Sequence, residues 1–366
     1  MLFCEAGQAL DLVEFTAPVP GEGEVLVDII YCTLCRSDLH THAGRRHEPV
    51  PLVLGHEIVG RIAAFGAGTS RCDARGQQAQ VGDRITWSIT VGCGNCFFCR
   101  HDLPQKCEHL FKFGHTRATV ENPSGGGLAD CVVLPPRTVW YRLPEELPNR
   151  VAAPANCATA TVAAVLKAAG NCTNQTVLVL GAGVLGLTAC AMARSVGAKH
   201  VVACDPQSEP RQRALAFGAT HAVCPLEGTA VENGSLSGEL AVRMLLAKLT
   251  ENRGADLVLE LSGAATAVKL AMEQARIGGT VVLAGSVSPS GPMQADPETL
   301  VRRMLTVRGI HNYHPRDLGT AIDFLSGPGC DYPFDTLVSG EFTLDQAEQA
   351  FACAHQHPGT RVAVVP

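Results

Sequence analysis

Four thiols at Cys93, Cys96, Cys99 and Cys107 form a C-x2-C-x2-C-x7-C run, with Gly92 and Gly94 allowing the tight turns that bring neighbouring sulfurs onto one ion. Four thiolates close a tetrahedral shell and leave no position for a substrate, so the run reads as a structural zinc site; an iron–sulfur cluster is the rival use of the same donors. A second donor set is scattered. Cys35 heads Cys35-Arg36-Ser37-Asp38-Leu39-His40, His56 sits in Gly55-His56-Glu57, and Cys157 lies far along the chain. Two thiolates and one imidazole leave a fourth coordination position open, which suits a catalytic zinc. A third constellation is G-x-G-x-x-G at Gly181, Gly183 and Gly186, a spacing that can cradle a pyrophosphate.

The elements needed to position these groups are legible around them. Residues 23 to 32 are β-branched and apolar and follow a Pro/Gly turn, so they should form a strand that delivers Cys35 to its end. Ser37 followed by Asp38 also suits the first turn of a helix, with Ser37 as its N-cap. An alanine-rich helical stretch over 158–169 and a break at 170–174 precede residues 176–180, a buried strand running straight into the glycine motif and a helix through Arg194. There Gly181 permits the turn, Gly183 lets the backbone approach the pyrophosphate, and Gly186 lets helix and strand pack closely. The next strand, 201–204, ends at Asp205. A carboxylate there accepts hydrogen bonds from ribose hydroxyls and repels a 2′-phosphate, which favours NAD over NADP; Arg211 and Arg213 argue the other way.

The alternation continues as helix 209–217, strand 221–224, helix 239–251, strand 255–261, helix 264–276, strand 278–285, helix 296–304 and strand 306–310. Six short apolar strands separated by helices make a doubly wound parallel six-stranded sheet in an α/β chain. A polar, aromatic cluster with His311 and Asn312 follows the last strand, where such sheets bind ligands; a hinge with a subunit contact is the other reading. Residues 71–80 read as a surface insertion, 122–127 as a loop and 228–238 as a surface connection. Of the remaining thiols, Cys72, Cys131, Cys190 and Cys330 read as small packed hydrophobes, and His42 and His47 as loop histidines.

At 366 residues the chain exceeds what one core organises, so two domains are expected. Apolar residues at 46% and charged residues at 17% suit a globular chain, and a net charge of -6 with scattered basic residues gives no footprint for nucleic acid. No uninterrupted apolar run reaches the length of a membrane span and no export signal is recognised, so no membrane partner and a cytoplasmic location are expected. The 16 cysteines are then read as reduced thiols rather than disulfides.

Taken together, the S-D-x-H run after Cys35, the G-H-E motif, the four-cysteine run and the glycine fingerprint resemble the zinc-dependent medium-chain alcohol dehydrogenases over essentially the whole length. The resemblance implies a mainly β, GroES-like catalytic domain over 1–157, a Rossmann domain over 158–313 and a return to the catalytic domain over 314–366. It makes Cys35, His56 and Cys157 the catalytic zinc ligands, Glu57 a carboxylate able to approach the metal, and Asp38 the acceptor that fixes the His56 ring. Ser37 and His40 become a proton relay through the cofactor ribose, and Arg36 and Arg361 become cations on the cofactor pyrophosphate. Two zinc ions and NAD per subunit, a small-molecule substrate and a homodimer or homotetramer follow. The stretch around Arg45 and Arg46, with Gly309-Ile310-His311-Asn312-Tyr313, resembles a subgroup associated with phosphonate catabolism. Two arginines beside a substrate channel can bind an oxyanion, so a hydroxyalkyl phosphonate such as 1-hydroxy-2-aminoethylphosphonate is the expected substrate; both arginines facing bulk water is the alternative. A polyol, threonine-like amino-alcohol or simple alcohol dehydrogenase is the runner-up, ahead of a zinc-free quinone reductase or a non-catalytic protein.

Overall fold

The computed structural model describes residues 1–119, 123–226, 239–287, 291–292, 296–357 and 359–366; the connection expected over 228–238 lies outside them. The chain divides into two units. One comprises Met1–Ala160, Asn312–Gly327 and Phe334–Pro366; the other comprises Thr161–His311 and Pro328–Pro333. The short 328–333 segment, which the sequence assigned to the C-terminal return, belongs with the second unit, where the Tyr332 ring lies against Gly218 so closely that a Cβ there would sit 2.9 Å from it.

The first unit is built on strand β1 (Val25–Thr33). Its neighbours are β2 (Glu57–Phe65), β3 (Arg84–Trp87) and β7 (Trp140–Arg142) on one side, with β14 (Val338–Thr343) and β15 (Arg361–Val365) on the other. Strand β6 (Cys131–Leu134) also pairs with β1, at Val25 to Asp28, while β15 takes only Cys32 and Thr33. Two short strands thus share one edge of β1, and β2 runs antiparallel along the other with Thr33 opposite Glu57. This register is why the end of β1, the start of β2 and the start of β15 meet at one place. A two-stranded ribbon of β4 (Thr90–Val91) and β5 (Phe111–Lys112) flanks the structural-cysteine loop. Trp87, Phe113, Phe351 and Leu34 fill the core beneath, each at most 1% exposed. Truncating one of these aromatics to alanine would cost about 3–5 kcal/mol.

The second unit is the expected parallel sheet. Strands β8 (Thr176–Leu180), β9 (His200–Cys204), β10 (His221–Val223), β11 (Ala255–Glu260), β12 (Ala275–Leu283) and β13 (Thr306–Gly309) lie in the order β10-β9-β8-β11-β12-β13. All five residues of β8 are buried, as a central parallel strand covered on both faces requires. Strand order reverses between β8 and β11, the switch point at which such sheets bind ligands. The helix expected over 264–276 ends at Gln274, and β12 takes up the chain at Ala275, three residues before the expected strand. Among the described residues no single helix is long and apolar enough to cross a membrane; the one bent pair that passes by composition, Asn149–Asn156 with Ala158–Ala169, breaks at 52°.

The 71–80 segment lies at the surface as expected and is anchored there: buried Asp73 accepts from the Arg75, Gln77 and Arg142 amides, and Arg75 bonds the Gly319 carbonyl and Asp323. Two local expectations change. Cys190 is buried as expected, but Cys72 and Cys330 are exposed. His42 closes the helix Arg36–His42 with its ring stacked 4.2 Å from that of Phe351, so it is a packed helix residue; His47 lies exposed in the loop beyond.

Candidate zinc and dinucleotide sites

Asp38 organises the first metal centre. Cys35, extended at φ -88° and ψ 160°, is the cap of the helix Arg36–His42, and its amide donates to Asp38 Oδ2 at 2.8 Å. The N-cap expected at Ser37 therefore belongs to Cys35, because Asp38 reaches back one residue further. The other Asp38 oxygen accepts from the Gly55 amide at 3.1 Å and faces His56 Nδ1 at 3.2 Å. A fully buried carboxylate thus ties the cysteine-bearing helix to the histidine-bearing loop and holds the His56 proton on Nδ1, leaving Nε2 free to coordinate. Gly55 is obligatory here: its φ is +87°, and a Cβ would lie 2.7 Å from Cys32 Sγ.

One donor atom from each of Cys35, His56, Glu57 and Cys157 lies within 4.8 Å of the others, and the two sulfurs are 3.9 Å apart. The hydrogen bond with Cys157, followed by Arg361 and His56, holds the Cys35 thiol well below its ordinary pKa, whereas sharing that bond pushes the Cys157 thiol up. Burial works against charge on His56, yet Asp38 and Cys35 outweigh it and raise its pKa to about 10. One thiolate is therefore ready and the second is a hydrogen bond away. Two sulfurs, one oriented imidazole and a nearby carboxylate form a donor set that fits a zinc ion with an open position.

Arg361 departs from its expected place on the cofactor. Its side chain is only 5% exposed and forks onto the fully buried Glu57, with Nε to Oε2 at 2.8 Å and Nη2 to Oε1 at 2.9 Å. Nη2 also lies 3.6 Å from Cys35 Sγ, and Thr33 donates to Glu57 Oε2 at 2.6 Å. The edge shared by β1 and β15 delivers this arginine to the metal centre, and a fork spent on Glu57 has Nε and Nη2 engaged there rather than on a pyrophosphate.

The four thiols Cys93, Cys96, Cys99 and Cys107 also converge, with one sulfur from each within 4.8 Å of the others. The amide of Cys93 points at Cys107 Sγ at 3.1 Å and that of His109 at 3.2 Å, while bonds from the Cys99 and Glu108 amides bring the Cys96 thiol down to about 6. Amides aimed at sulfur favour thiolates, so the cluster fits a closed tetrathiolate zinc.

In the second unit Gly181 has φ +94° and lies so close to Ser262 that a Cβ would sit 2.9 Å away, whereas a Cβ on Gly183 would meet nothing within 4 Å. At Gly186 a Cβ would clash with the Gly181 carbonyl oxygen. Turn, open approach and tight packing are therefore met in that order, and the open face at Gly183 fits a dinucleotide pyrophosphate at the start of the helix Val184–Ser195. Asp205, at the end of β9, accepts from the Ala182 amide at 2.8 Å through Oδ2, so its carboxylate is fixed beside that turn. Arg211 donates to the Asp205 and Pro206 carbonyls and does not project freely at a 2′-phosphate position.

The other expected residues are spread more widely. Ser37 Oγ lies 3.5 Å from His56 Nε2, at the mouth of the first centre. Half-buried His40 is held below its ordinary pKa by burial and then by Arg36 and Arg45, so it is neutral near pH 7. Arg36 and Arg45 are exposed; Arg46 pairs with Glu48 at 2.6 Å. His311 is exposed and ends the second unit, while Asn312 opens the next segment of the first with φ +56°. The neighbouring Tyr313 is buried, bonds the Asn156 carbonyl and accepts from the Ile89 amide, which makes it a structural pin. Lys112 and His115 were not singled out from the sequence, yet both lie beside the first centre: the His115 ring is 5.0 Å from that of His56, and Lys112 is within electrostatic reach of Cys35 and Cys157. A Lys-x-x-His spacing just after the structural cysteines was the available signal.

The pattern of zinc-binding dehydrogenases matches residues 184–327 and that of the alcohol dehydrogenase GroES-like domain matches 21–145. An L-threonine 3-dehydrogenase of Deinococcus radiodurans is 30% identical over 314 residues, covering 84% of this chain and 81% of its own. An alcohol dehydrogenase of Thermotoga maritima is similar at TM-score 0.92 and 26% identity, with 100% of this chain and 98% of that one covered. A zinc-binding dehydrogenase from Sinorhizobium meliloti, solved bound to NADP, is similar at TM-score 0.79 and 27% identity, over 96% of this chain and 94% of its own. The chain belongs to the zinc-dependent medium-chain alcohol dehydrogenase superfamily. It is an NAD-linked oxidoreductase of CH–OH donors, with zinc and a nicotinamide dinucleotide as cofactors.

Proposed function

We propose that this dehydrogenase oxidises an alcohol that carries an acidic group, with a hydroxyalkyl phosphonate such as 1-hydroxy-2-aminoethylphosphonate as the leading substrate, and that it works as a cytoplasmic homodimer or homotetramer. The observation that carries the reading is the turn after the helix Arg36–His42. The backbone amides of both Arg45 and Arg46 bond the His40 carbonyl, at 2.8 and 3.1 Å, so the turn that carries the two arginines is held at the residue expected to receive the proton, with Arg45 exposed and Arg46 paired with Glu48. Positive charge in this turn favours an oxyanion on the substrate.

In this reading Cys35, His56 Nε2 and Cys157 hold the catalytic zinc, and Cys93, Cys96, Cys99 and Cys107 hold the structural one. The catalytic ion supplies Lewis acidity, which makes a hydroxyl easier to deprotonate. Asp38 fixes the His56 tautomer. Ser37 and a neutral His40 accept the proton and pass it outward, and a base that is neutral at working pH is suited to that task. Gly181, Gly183 and Gly186 admit the pyrophosphate, Arg36 supplies a cation for it, and Asp205 accepts from the adenosine ribose. Glu57, tied to Arg361, keeps a carboxylate next to the ligands, and His311 and Asn312 border the substrate.

L-threonine is the second reading, favoured by relatives of that name at 28–30% identity. It too combines a hydroxyl, an amine and an acidic group. The test is NAD reduction by zinc-loaded protein across hydroxyalkyl phosphonates, L-threonine, polyols and simple alcohols. A charge-assisted contact should raise kcat/KM for the phosphonate roughly ten- to hundredfold over an uncharged counterpart. Faster turnover of L-threonine moves the assignment to the second reading, and equal turnover of uncharged alcohols removes the acidic group from the account.

A further inference from the structure

Lys112 ends β5, two residues from a backbone that doubles back on the catalytic histidine: Phe113 donates to the Ile89 carbonyl and Gly114 to that of Gly125. A Cβ on Gly114 would sit 2.8 Å from the Gly55 oxygen and 3.2 Å from His56 Cβ, so this segment lies directly on the His56 loop. His115 follows, buried, with Nδ1 donating to the Phe113 carbonyl at 2.9 Å and its ring tilted against His56. Glu48 faces the group from the next loop, its Oε1 2.6 Å from Arg46 Nε and 3.9 Å from His115 Nε2.

Charge can be counted around this cluster. Glu48 is matched by Arg46, and Arg361 by Glu57. A zinc ion held by two thiolates and a neutral imidazole is formally balanced. His115 is kept neutral by burial, then by Lys112 and His56. That leaves Lys112. Its ammonium has no hydrogen-bond or ion-pair partner among the described residues, although it lies within electrostatic reach of Arg46, Cys157, Glu48 and Cys35. Burial and then Arg46 depress its pKa, so the ammonium is held at a cost in this place. A half-buried cation without an ion-pair partner beside a catalytic centre is placed to pair with an anion when the site works.

We propose that Lys112 is the residue that selects the substrate's acidic group, pairing its ammonium with a carboxylate, phosphonate or phosphate oxygen when the hydroxyl is at the zinc. This rests on the reading that the substrate is acidic and adds where the acid binds: at half-buried Lys112, on the His115 side of the metal centre, rather than at the exposed Arg45. Lys112 acts by binding and orienting; no proton moves through it.

The probes are methylphosphonate and inorganic phosphate as inhibitors of alcohol oxidation, measured on zinc-loaded wild-type protein, K112M, K112Q and K112R, with zinc content recorded for each. Methylphosphonate is expected to compete with the alcohol, and its inhibition constant should rise roughly ten- to hundredfold in K112M and K112Q. K112R keeps the charge and should stay within about threefold of wild type. For the best acidic substrate the loss should fall on KM far more than on kcat. An inhibition constant unchanged in both neutral variants overturns the role of Lys112 while leaving an acidic substrate possible through Arg45. Inhibition that competes with NAD instead, or none in the wild-type protein, overturns it without any variant having to fold. Lys112-dependent inhibition in a protein that prefers uncharged alcohols keeps the subsite and rejects the substrate reading.

Discussion

Replacing Arg361 with methionine isolates its pairing with Glu57, which the structure shows where a pyrophosphate contact was expected for this arginine. The Glu57 carboxylate is fully buried and takes two short contacts from the guanidinium plus one from Thr33. Arg361→Met leaves that charge with the Thr33 hydroxyl alone. Removing one partner of a buried ion pair costs about 3–5 kcal/mol, chiefly as the penalty on the charge left behind. At roughly 2–4 °C per kcal/mol for a unit of this size, the calorimetric transition of the catalytic unit should fall by about 6–20 °C. The double variant Glu57→Gln/Arg361→Met removes the orphaned charge and should recover most of the loss, since a neutral replacement of both partners is far less costly. Differential scanning calorimetry on the four zinc-loaded proteins gives the full cycle. A fall of less than about 2 °C in R361M, or a double variant no better than the single, would refute the claim that a desolvated pair anchors β15 to the metal centre.

Three further outcomes follow from the same geometry. Cys96→Ser should cut zinc content from two per chain to one and lower the calorimetric transition, because the tetrathiolate cluster loses a ligand; retention of both ions in elemental analysis would contradict its role. In zinc-stripped protein the His56 pKa of about 10 lies above its unfolded value near 6.5, so its stabilisation is complete below about 6.5 and is lost as pH rises through 10. Zinc must displace that proton, so apparent zinc affinity should climb over the same window, with proton release seen as a buffer-dependent calorimetric heat; a flat affinity profile would remove the Asp38–His56 linkage. Asp205→Ala should shift the ratio of kcat/KM for NAD over NADP towards NADP by about tenfold or more, and an unchanged ratio would mean that Asp205 does not read the ribose.

Much of the fold was legible because local rules and the tertiary structure agree. Strand β8 is apolar throughout because both of its faces are covered, and the glycine spacing after it follows from contacts that leave no room for a Cβ at Gly181 or Gly186. The two sulfur clusters were visible as donor types at suitable spacing, and the fold supplies the convergence. What was hidden depends on register and on long-range pairing. Nothing near Arg361 in sequence indicates that β15 docks on Cys32 and Thr33 and so carries the guanidinium to Glu57 rather than to a pyrophosphate. Ser37 looked like a cap because the reach of Asp38 to the Cys35 amide is a tertiary choice that also serves His56. Lys112 escaped notice because an unmatched charge is defined by what its neighbours leave over, and those neighbours come from three separate segments.

The most direct test is zinc content and NADH formation measured side by side on wild-type protein and Cys157→Ala, with the same alcohol and NAD. Two zinc ions per chain and steady NADH formation in the wild type, against one ion and no NADH above background in the variant, are expected if Cys35, His56 and Cys157 hold the catalytic metal. A C157A protein that keeps both ions and full activity would contradict the account at its centre.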